Sequence, residues 1–538
     1  MVLKGDAVGD GVFLSSPPAV RLVNAFRRPF ENAVATARTC YSSRGIVTAE
    51  EVGGDAETDP DRRRRREESR DSLARSIYQA GHHTTLQHAT FQFALSNVSR
   101  QFLWTFLHAH PFYNSEQVSQ RYVEVKEGTY AVPALAGEAL EVYRRTADGM
   151  MSDYHRLIEV LERPVAAEMR RRFPRRAGSK RERKDVQKKA QEAARYCLPL
   201  ATFAYLYHTV SGLTLLRYHR LCEQYDAPAE TRLVVGAMVR EMLAADPLYG
   251  AILEDPLPLA ETPEARFFEE RGGPASPAVR RAFVEEFDRD LGGRTSVLVD
   301  RKAGNEESVA QAVREVFGLP RASLSDDDAL SAVLDPARNR LLGENMNVNS
   351  LDKLTRCLFH ASYTFRKRLS HTADSQDQRH RMTPASRPLL HAYLGDEPDY
   401  VAPGAVTADA EATALFRASM ERAWDGVRRL RALGVADEWA AYLLPNAVAV
   451  RFTESADLLN LHHKLKARLC WNAQEEIWRA SRDEAEQILA AEPRIGRWLQ
   501  APCGLRARSG ARPICPEGDR YCGVPVWKMS LAEQVRSV

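Results

Sequence analysis

Apolar residues recur at intervals of three and four through much of the chain. Leu215, Leu216, His219, Leu221 and Cys222 form one such stripe, and Leu458, Leu459, Leu461, His462 and Leu465 form another. That spacing predicts amphipathic helices. Shorter β-rich runs, Thr90-Phe91-Gln92-Phe93-Ala94-Leu95 and Tyr363-Thr364-Phe365, predict strands. The mixture points to an α+β fold in which helices predominate. Polar segments interrupt the pattern. Residues 50–70 hold Gly53, Gly54, Pro60 and the run Arg62 to Arg66, flanked by Asp59, Asp61, Glu67 and Glu68. This composition predicts a solvated loop, with a helix beginning near Ser69 or Asp71. Between Arg170 and Lys189, Pro174 and Gly178 break a basic stretch, which predicts a helix end, an exposed arm and a new helix start. Residues 256–345, rich in Pro, Gly, Asp and Glu, read as a connector between two halves.

The halves resemble each other. Leu86-Gln87-His88-Ala89-Thr90-Phe91-Gln92-Phe93 recurs as Leu358-Phe359-His360-Ala361-Ser362-Tyr363-Thr364-Phe365. Ala194-Arg195-Tyr196-Cys197-Leu198-Pro199-Leu200-Ala201 recurs as Ala440-Ala441-Tyr442-Leu443-Leu444-Pro445-Asn446-Ala447. The two matches keep their order but differ in offset, so the first half carries extra length between them. A duplicated domain forming a pseudo-dimer within one chain is the expectation. The divisions expected are 1–255, a connector over 256–345, 346–495, and a cysteine-containing tail over 496–538.

The 538 residues include 75 Lys+Arg and 72 Asp+Glu, a net charge of +3, with 44% hydrophobic residues. These values exclude a disordered, collagen-like or disulfide-rich chain. Near-neutral charge gives no global reason to bind nucleic acid, and the basic stretches lack interleaved aromatics for base stacking, so they read as solvated faces. Eight scattered cysteines read as reduced thiols. With no long apolar run and no signal-peptide pattern at the start, a cytoplasmic protein without a membrane anchor is expected.

Candidate chemistry lies where the halves diverge. The first half has Gly81-His82-His83-Thr84-Thr85-Leu86-Gln87-His88 and then Ser115-Glu116-Gln117-Val118-Ser119-Gln120-Arg121-Tyr122. Small donors beside Arg121 suit an anion, because a guanidinium binds phosphate bidentately. The second half has Gln376-Asp377-Gln378-Arg379-His380-Arg381, which concentrates positive charge and planar donors in three residues.

Together these segments resemble the flavin-dependent thymidylate synthases, whose fingerprint is Arg-His-Arg followed by Ser-x-Arg-Tyr. Ala37-Arg38-Thr39-Cys40-Tyr41-Ser42-Ser43 is similar to the family's early segment, and Gly81 to Phe93 to its Gly-His-x-Thr-x-x-Glu-His element, with Gln87 at the Glu position. Leu461 to Ile477 is similar to its C-terminal helix, carrying Arg468, with Asp457 where an Asn is common. The family carries every motif in one domain. Here the first half keeps Ser119-Gln120-Arg121-Tyr122 without Arg-His-Arg, counting onto Leu107-His108-Ala109 or Ala109-His110-Pro111, and the second keeps Arg379-His380-Arg381 followed by Met382-Thr383-Pro384-Ala385-Ser386-Arg387-Pro388. Arg195 faces Ala441 in the repeat, and Arg468 faces Cys222. Each half has lost what the other retains.

The resemblance implies a FAD-dependent enzyme that methylates dUMP to dTMP, with methylenetetrahydrofolate and NADPH as co-substrates, at one composite site. By carry-over, Ser119, Gln120, Arg121, Arg195, Gln376, Arg379 and Arg468 would hold dUMP. His82, Thr84, Arg379, His380, Arg381 and His463 would hold FAD, and Arg379 and Arg468 would be catalytic. No cysteine nucleophile is implied. A homodimer of fused chains is the expected assembly. Two rival readings are a non-catalytic pseudo-synthase that binds a nucleotide or flavin, and a basic nucleic-acid scaffold resting on Arg62–Arg66 and Arg170–Lys189. Cys503, Cys515 and Cys522 are three thiols, where zinc prefers four ligands, so no metal site is expected.

Overall fold

The computed structural model describes residues 11–54, 57–109, 112–223 and 226–536. Its contacts divide the chain into two compact units. The first comprises residues 1–149, 199–274 and 425–443, and the second residues 150–198, 275–424 and 444–538. Each half of the sequence therefore lends a segment to the other half's unit.

Each unit is built on a four-stranded antiparallel sheet. In the first, β1 (Ala19–Ala25), β2 (Thr90–Ser99), β3 (Asn114–Gln117) and β4 (Phe203–Ser211) lie in the order β1-β2-β4-β3. In the second, β5 (Ser296–Arg301), β6 (Ser362–Ser370), β7 (Ala385–Ser386) and β8 (Ala449–Asp457) repeat that order as β5-β6-β8-β7. The registers also match: Phe93 faces His208 in the first sheet, and Phe365 faces Glu454 in the second. The strands form because β-branched and aromatic residues alternate there with polar ones, which suits a sheet with one face on a core. In the first unit Phe91, Phe93, Phe102, Leu215 and Met238 pack together, and in the second Tyr363, Phe365, Leu458, Leu461 and Ile488 do so.

Both central strands end in a serine that caps the next helix. Ser99 Oγ accepts from Phe102 N–H at 3.0 Å, opening the helix Arg100–His108, and Ser370 Oγ accepts from Ala373 N–H at 3.1 Å, opening the helix His371–Asp377. Each serine also donates to a buried glutamate. Ser99 N–H and Oγ reach the two oxygens of Glu230 at 2.8 and 2.5 Å, and Ser370 N–H and Oγ reach those of Glu476 at 2.6 and 2.7 Å. The third donor comes from the opposite half of the sequence: Tyr442 hydroxyl donates to Glu230, and Tyr196 hydroxyl to Glu476. Burial raises the pKa of both carboxyls. The close approach of residues 425–443 in the first unit also needs a glycine, since a Cβ on Gly426 would lie 2.6 Å from Thr146.

Four expectations change. The stretch 256–345 is not a plain connector: β5 pairs with β6, and Val309, Val313, Leu330 and Val333 join the second core. The tail is built in as well, through Trp498, Leu499, Cys503 and Val526. The arginine run is helical from Pro60, not from Ser69, because Asp59 accepts from Asp61 N–H and Pro60 sits at the first helical position. The segment Leu461 to Ile477 is two helices, Leu458–Arg468 and Glu475–Ala491, with a turn between them. The basic stretch does break as expected, between helices ending at Arg172 and starting at Lys180, with Gly178 at φ +77°.

Removing one buried donor leaves a carboxyl short of a partner. Tyr196→Phe and Tyr442→Phe should each destabilise the fold by about 1–3 kcal/mol, read from the denaturant midpoint. An unchanged midpoint in both would show that these hydroxyls do not hold the glutamates.

Candidate active site

In the second unit the helix His371–Asp377 ends in the Arg379-His380-Arg381 turn. Arg379 N–H donates to Gln376 carbonyl at 3.4 Å, His380 N–H to Asp377 carbonyl at 2.9 Å, and Thr383 N–H to His380 carbonyl at 3.0 Å. The helix Leu458–Arg468 supplies the opposing wall. Arg468 Nε donates to His380 Nε2 at 2.8 Å, and an Arg468 terminal nitrogen donates to Gln376 carbonyl at 2.6 Å. The His463 ring meets that of His380 edge-on, with centroids 6.0 Å apart.

This geometry sets the state of His380. Burial, reinforced by the charges of Arg468 and Lys464, holds its imidazole well below the ordinary histidine value. A neutral ring that accepts at Nε2 carries its proton on Nδ1, so it can donate there. Arg379 is exposed, and Arg381 half-buried.

Arg195 lies in this second unit although it belongs to the first half of the sequence. Residues 195–198 run beside 446–447: Asn446 N–H donates to Leu198 carbonyl at 2.8 Å, Ala447 N–H to Tyr196 carbonyl at 3.0 Å, and Asn446 Nδ2 to Arg195 carbonyl at 3.0 Å. The neighbouring Tyr196 is tied to the Arg-His-Arg helix, because Gln376 donates to Gln474 and Gln474 donates to Tyr196 hydroxyl. Arg195, Gln376, Arg379, His380, Arg381, His463 and Arg468 thus share one unit. Gln474 and Tyr196 were not singled out in the sequence. Tyr196 stood in the repeated Ala-x-Tyr-x-Leu-Pro segment, but Gln474 carried no signal of its own.

Ser119, Gln120, Arg121, His82 and Thr84 belong to the first unit. Ser119 carbonyl accepts from Tyr122 and Val123 N–H at 3.1 and 3.0 Å, and its Oγ from Arg121 N–H at 3.3 Å, a tight turn directly after β3. The Arg121 guanidinium lies 5.4 Å from the Tyr122 ring centroid. Gln120 is buried, whereas His82 and Thr84 are exposed. Buried Arg100 went unnoticed in the sequence, and it donates to Gln117 at 2.9 Å just before this turn. By sheet register Ser386 occupies the place of Glu116, so Leu389-Leu390-His391 stands where the first half has Ser119-Gln120-Arg121. Of the two first-half alignments for Arg-His-Arg, His110 and Pro111 fall outside the described residues.

A family model described as thymidylate synthase complementing protein matches residues 21–248 and 297–494, more than half of the chain. The chain belongs to this family. The two matched segments fit a tandem form. Relatives named flavin-dependent thymidylate synthase include those of Clostridium tetani, 27% identical over 233 residues (42% of this chain and 83% of the relative), and Geobacter sulfurreducens, 29% over 201 residues (36% and 83%). The relative from Nitratidesulfovibrio vulgaris is 31% identical over 178 residues (30% and 69%).

Other features of this flavin-dependent thymidylate synthase homologue fall outside the motif set. Asp457, at the position where the family often has Asn, caps its helix by accepting from Asn460 N–H at 3.0 Å. No helix among the described residues is long and apolar enough to cross a membrane. All eight cysteines are free thiols. Burial, with Cys515 and Cys522 nearby, pushes Cys470 up to about 11, so the turn after Arg468 brings a fourth thiol toward the tail. Among the described residues no group of three His, Cys, Asp or Glu is placed to hold a metal ion.

Beneath the Arg-His-Arg turn, burial and the neighbouring Asp377 push Glu454 up to about 7, against the pull of Lys367 and Lys464. The folded state therefore keeps a proton on Glu454 across a range where the unfolded chain has released it. That contribution is fully present at low pH and is lost as pH rises through about 7. Glu454→Gln should match the parent in thermal midpoint near pH 5 and exceed it near pH 8. Parallel midpoints at both pH values would rule this out.

Proposed function

We propose that this chain is a FAD-dependent thymidylate synthase that transfers the one-carbon unit of methylenetetrahydrofolate to C5 of dUMP, with NADPH as reductant. The observation that carries the reading is the Arg468 guanidinium joined to both His380 and Gln376 beside Arg379. These are the residues that the family resemblance assigned to nucleotide and flavin. Membership in the family supports the same reading.

The donor set suits FAD. Arg379 and Arg381 offer charge to a pyrophosphate, and the neutral His380 and the exposed His463 offer planar donors and a stacking edge to a ring system. His82 and Thr84 of the first half are the further flavin contacts in this reading. When bound and reduced, FAD supplies the hydride for the reaction. The chain's own residues hold and polarise the nucleotide. Ser119, Gln120, Arg121, Arg195, Gln376, Arg379 and Arg468 are the proposed dUMP contacts. Backbone and hydroxyl donors of the Ser119 turn suit a phosphate. Arg379 and Arg468 carry the catalytic role, because a fixed guanidinium stabilises negative charge that grows on a pyrimidine carbonyl as C5 attacks. Arg468 needs little reorganisation for this, since two hydrogen bonds already hold it.

Complementary retention of motifs supports a composite site. Arg121 survives in the half that lacks Arg-His-Arg, and Arg379 in the half that lacks Ser-x-Arg-Tyr. Two fused chains forming a homodimer in the cytoplasm complete the proposal.

The purified protein should be yellow, with a flavin spectrum bleached by NADPH and perturbed by dUMP. Arg468→Ala should abolish dTMP formation while circular dichroism stays unchanged, and Arg121→Ala should raise the KM for dUMP at least tenfold. A colourless protein that takes up no added FAD would overturn the reading, as would near-parental turnover in Arg468→Ala. Flavin binding without turnover in the parent would favour the pseudo-synthase.

A further inference from the structure

Under the Arg-His-Arg turn lie five fully buried ionisable side chains: Lys367 on β6, Asp377 at the end of its helix, Glu454 on β8, Lys464 one turn before Arg468, and Glu484 on the helix Glu475–Ala491. Lys367 Nζ lies 3.2 Å from Asp377 Oδ2, 2.8 Å from Glu454 Oε1 and 2.7 Å from Glu484 Oε1. Lys464 Nζ lies 2.8 Å from Asp377 Oδ1 and also contacts Glu454.

The matching sheet registers and serine caps identify the counterparts in the first unit. Leu95 stands for Lys367, Phe106 for Asp377, His208 for Glu454, Tyr218 for Lys464 and Met238 for Glu484. There the same space is filled by an aromatic cluster, with Phe106 4.7 Å from His208 and 4.7 Å from Tyr218 between ring centroids. The fold thus closes this space with aromatic and apolar side chains packed around one histidine. Buried ion clusters gain little or nothing in stability over a well-packed apolar set, because desolvation offsets the Coulomb attraction. Stability alone therefore does not explain five buried ionisable groups in the half that keeps Arg-His-Arg.

Their placement does. Both oxygens of Asp377 are held by lysines from two different elements, and the carbonyl of the same residue accepts from His380 N–H. Lys464 and Arg468 are four residues apart on one helix face. That helix holds Asp377 through the first and Gln376 and His380 through the second.

We propose that Asp377, held by Lys367 and Lys464 beside Glu454, forms a buried positioning platform, which locks the end of the helix His371–Asp377 and so presets the Arg379-His380-Arg381 turn for its ligand. The ligand's identity as flavin and nucleotide rests on the function proposed above; the platform itself does not.

The charge count provides a controlled test. Lys367 and Lys464 face the carboxyls of Asp377, Glu454 and Glu484, and of these burial holds the proton on Glu454 up to about pH 7. Asp377→Asn and Glu484→Gln therefore make the same charge change at equally buried positions, but only Asp377 is tied to the turn. Both variants should fold, with thermal midpoints close to each other. In Asp377→Asn the amides of 379–383 should exchange with deuterium at least tenfold faster than in the parent, and the Kd for FAD should rise at least tenfold. In Glu484→Gln both should stay within about twofold. Equal behaviour of the two variants in amide exchange, whether both unchanged or both accelerated, would overturn the platform. If the parent binds no FAD, the functional reading fails, and the exchange contrast still decides this proposal by itself.

Discussion

A carboxylate buried at the end of a strand has to find donors, and in this protein it finds the third one in the other half of the sequence. Glu230 takes Ser99 from its own half and Tyr442 from the second; Glu476 takes Ser370 from its own half and Tyr196 from the first. Leaving such a group unpaired costs on the order of 1–3 kcal/mol or more, so each unit depends on the exchanged segment for one donor to its buried glutamate. The exchange also has a consequence for chemistry, because the segment that brings Tyr196 brings Arg195 into the unit that holds Arg379 and Arg468.

Duplication allowed the two sheets to diverge around a common frame. Strand order and register are shared, so the same positions can be compared directly. One half fills the space under its first post-strand helix with Phe106, His208 and Tyr218, and the other fills it with charge. The charged version couples three elements at one point, since β6 and the helix Leu458–Arg468 both reach Asp377. Apolar packing is non-directional, whereas an ion pair with a hydrogen bond specifies which atom meets which. A turn that must present Arg379 and Arg381 outward, with His380 held in one tautomer, gains from that directionality.

Much of the frame was legible in the chain itself. The strand runs Thr90–Leu95 and Tyr363–Phe365 lie within β2 and β6, and the stripe Leu458–Leu465 is helical, because period and β-branching are local properties. The duplication was legible because Leu-Pro and His-Ala segments recur in order. Of the residues that the motifs named, Arg468 donates to His380 and to the Gln376 carbonyl, and His463 meets His380 edge-on. The stretch 256–345 misled because Pro and Gly mark turns without revealing that Ser296–Arg301 between them pairs with a distant strand. The arginine run misled because like charges suggested a solvated loop, while Asp59 and Pro60 started a helix in which Arg64 pairs with Asp61 and Glu68.

What the amino-acid order alone determined is therefore the local periodicity, the repeat, and the inventory of guanidinium and imidazole groups split unequally between two copies. Tertiary structure decided which copy each segment serves, and it moved Arg195 and Tyr196 into the second unit. It also decided that Lys367, Asp377, Glu454, Lys464 and Glu484, dispersed over more than a hundred residues, share one buried space. The reason is physical. Periodicity and capping act over a few bonds, whereas the partner of a buried charge is chosen by whichever group the fold brings within about 3 Å, at any separation along the chain.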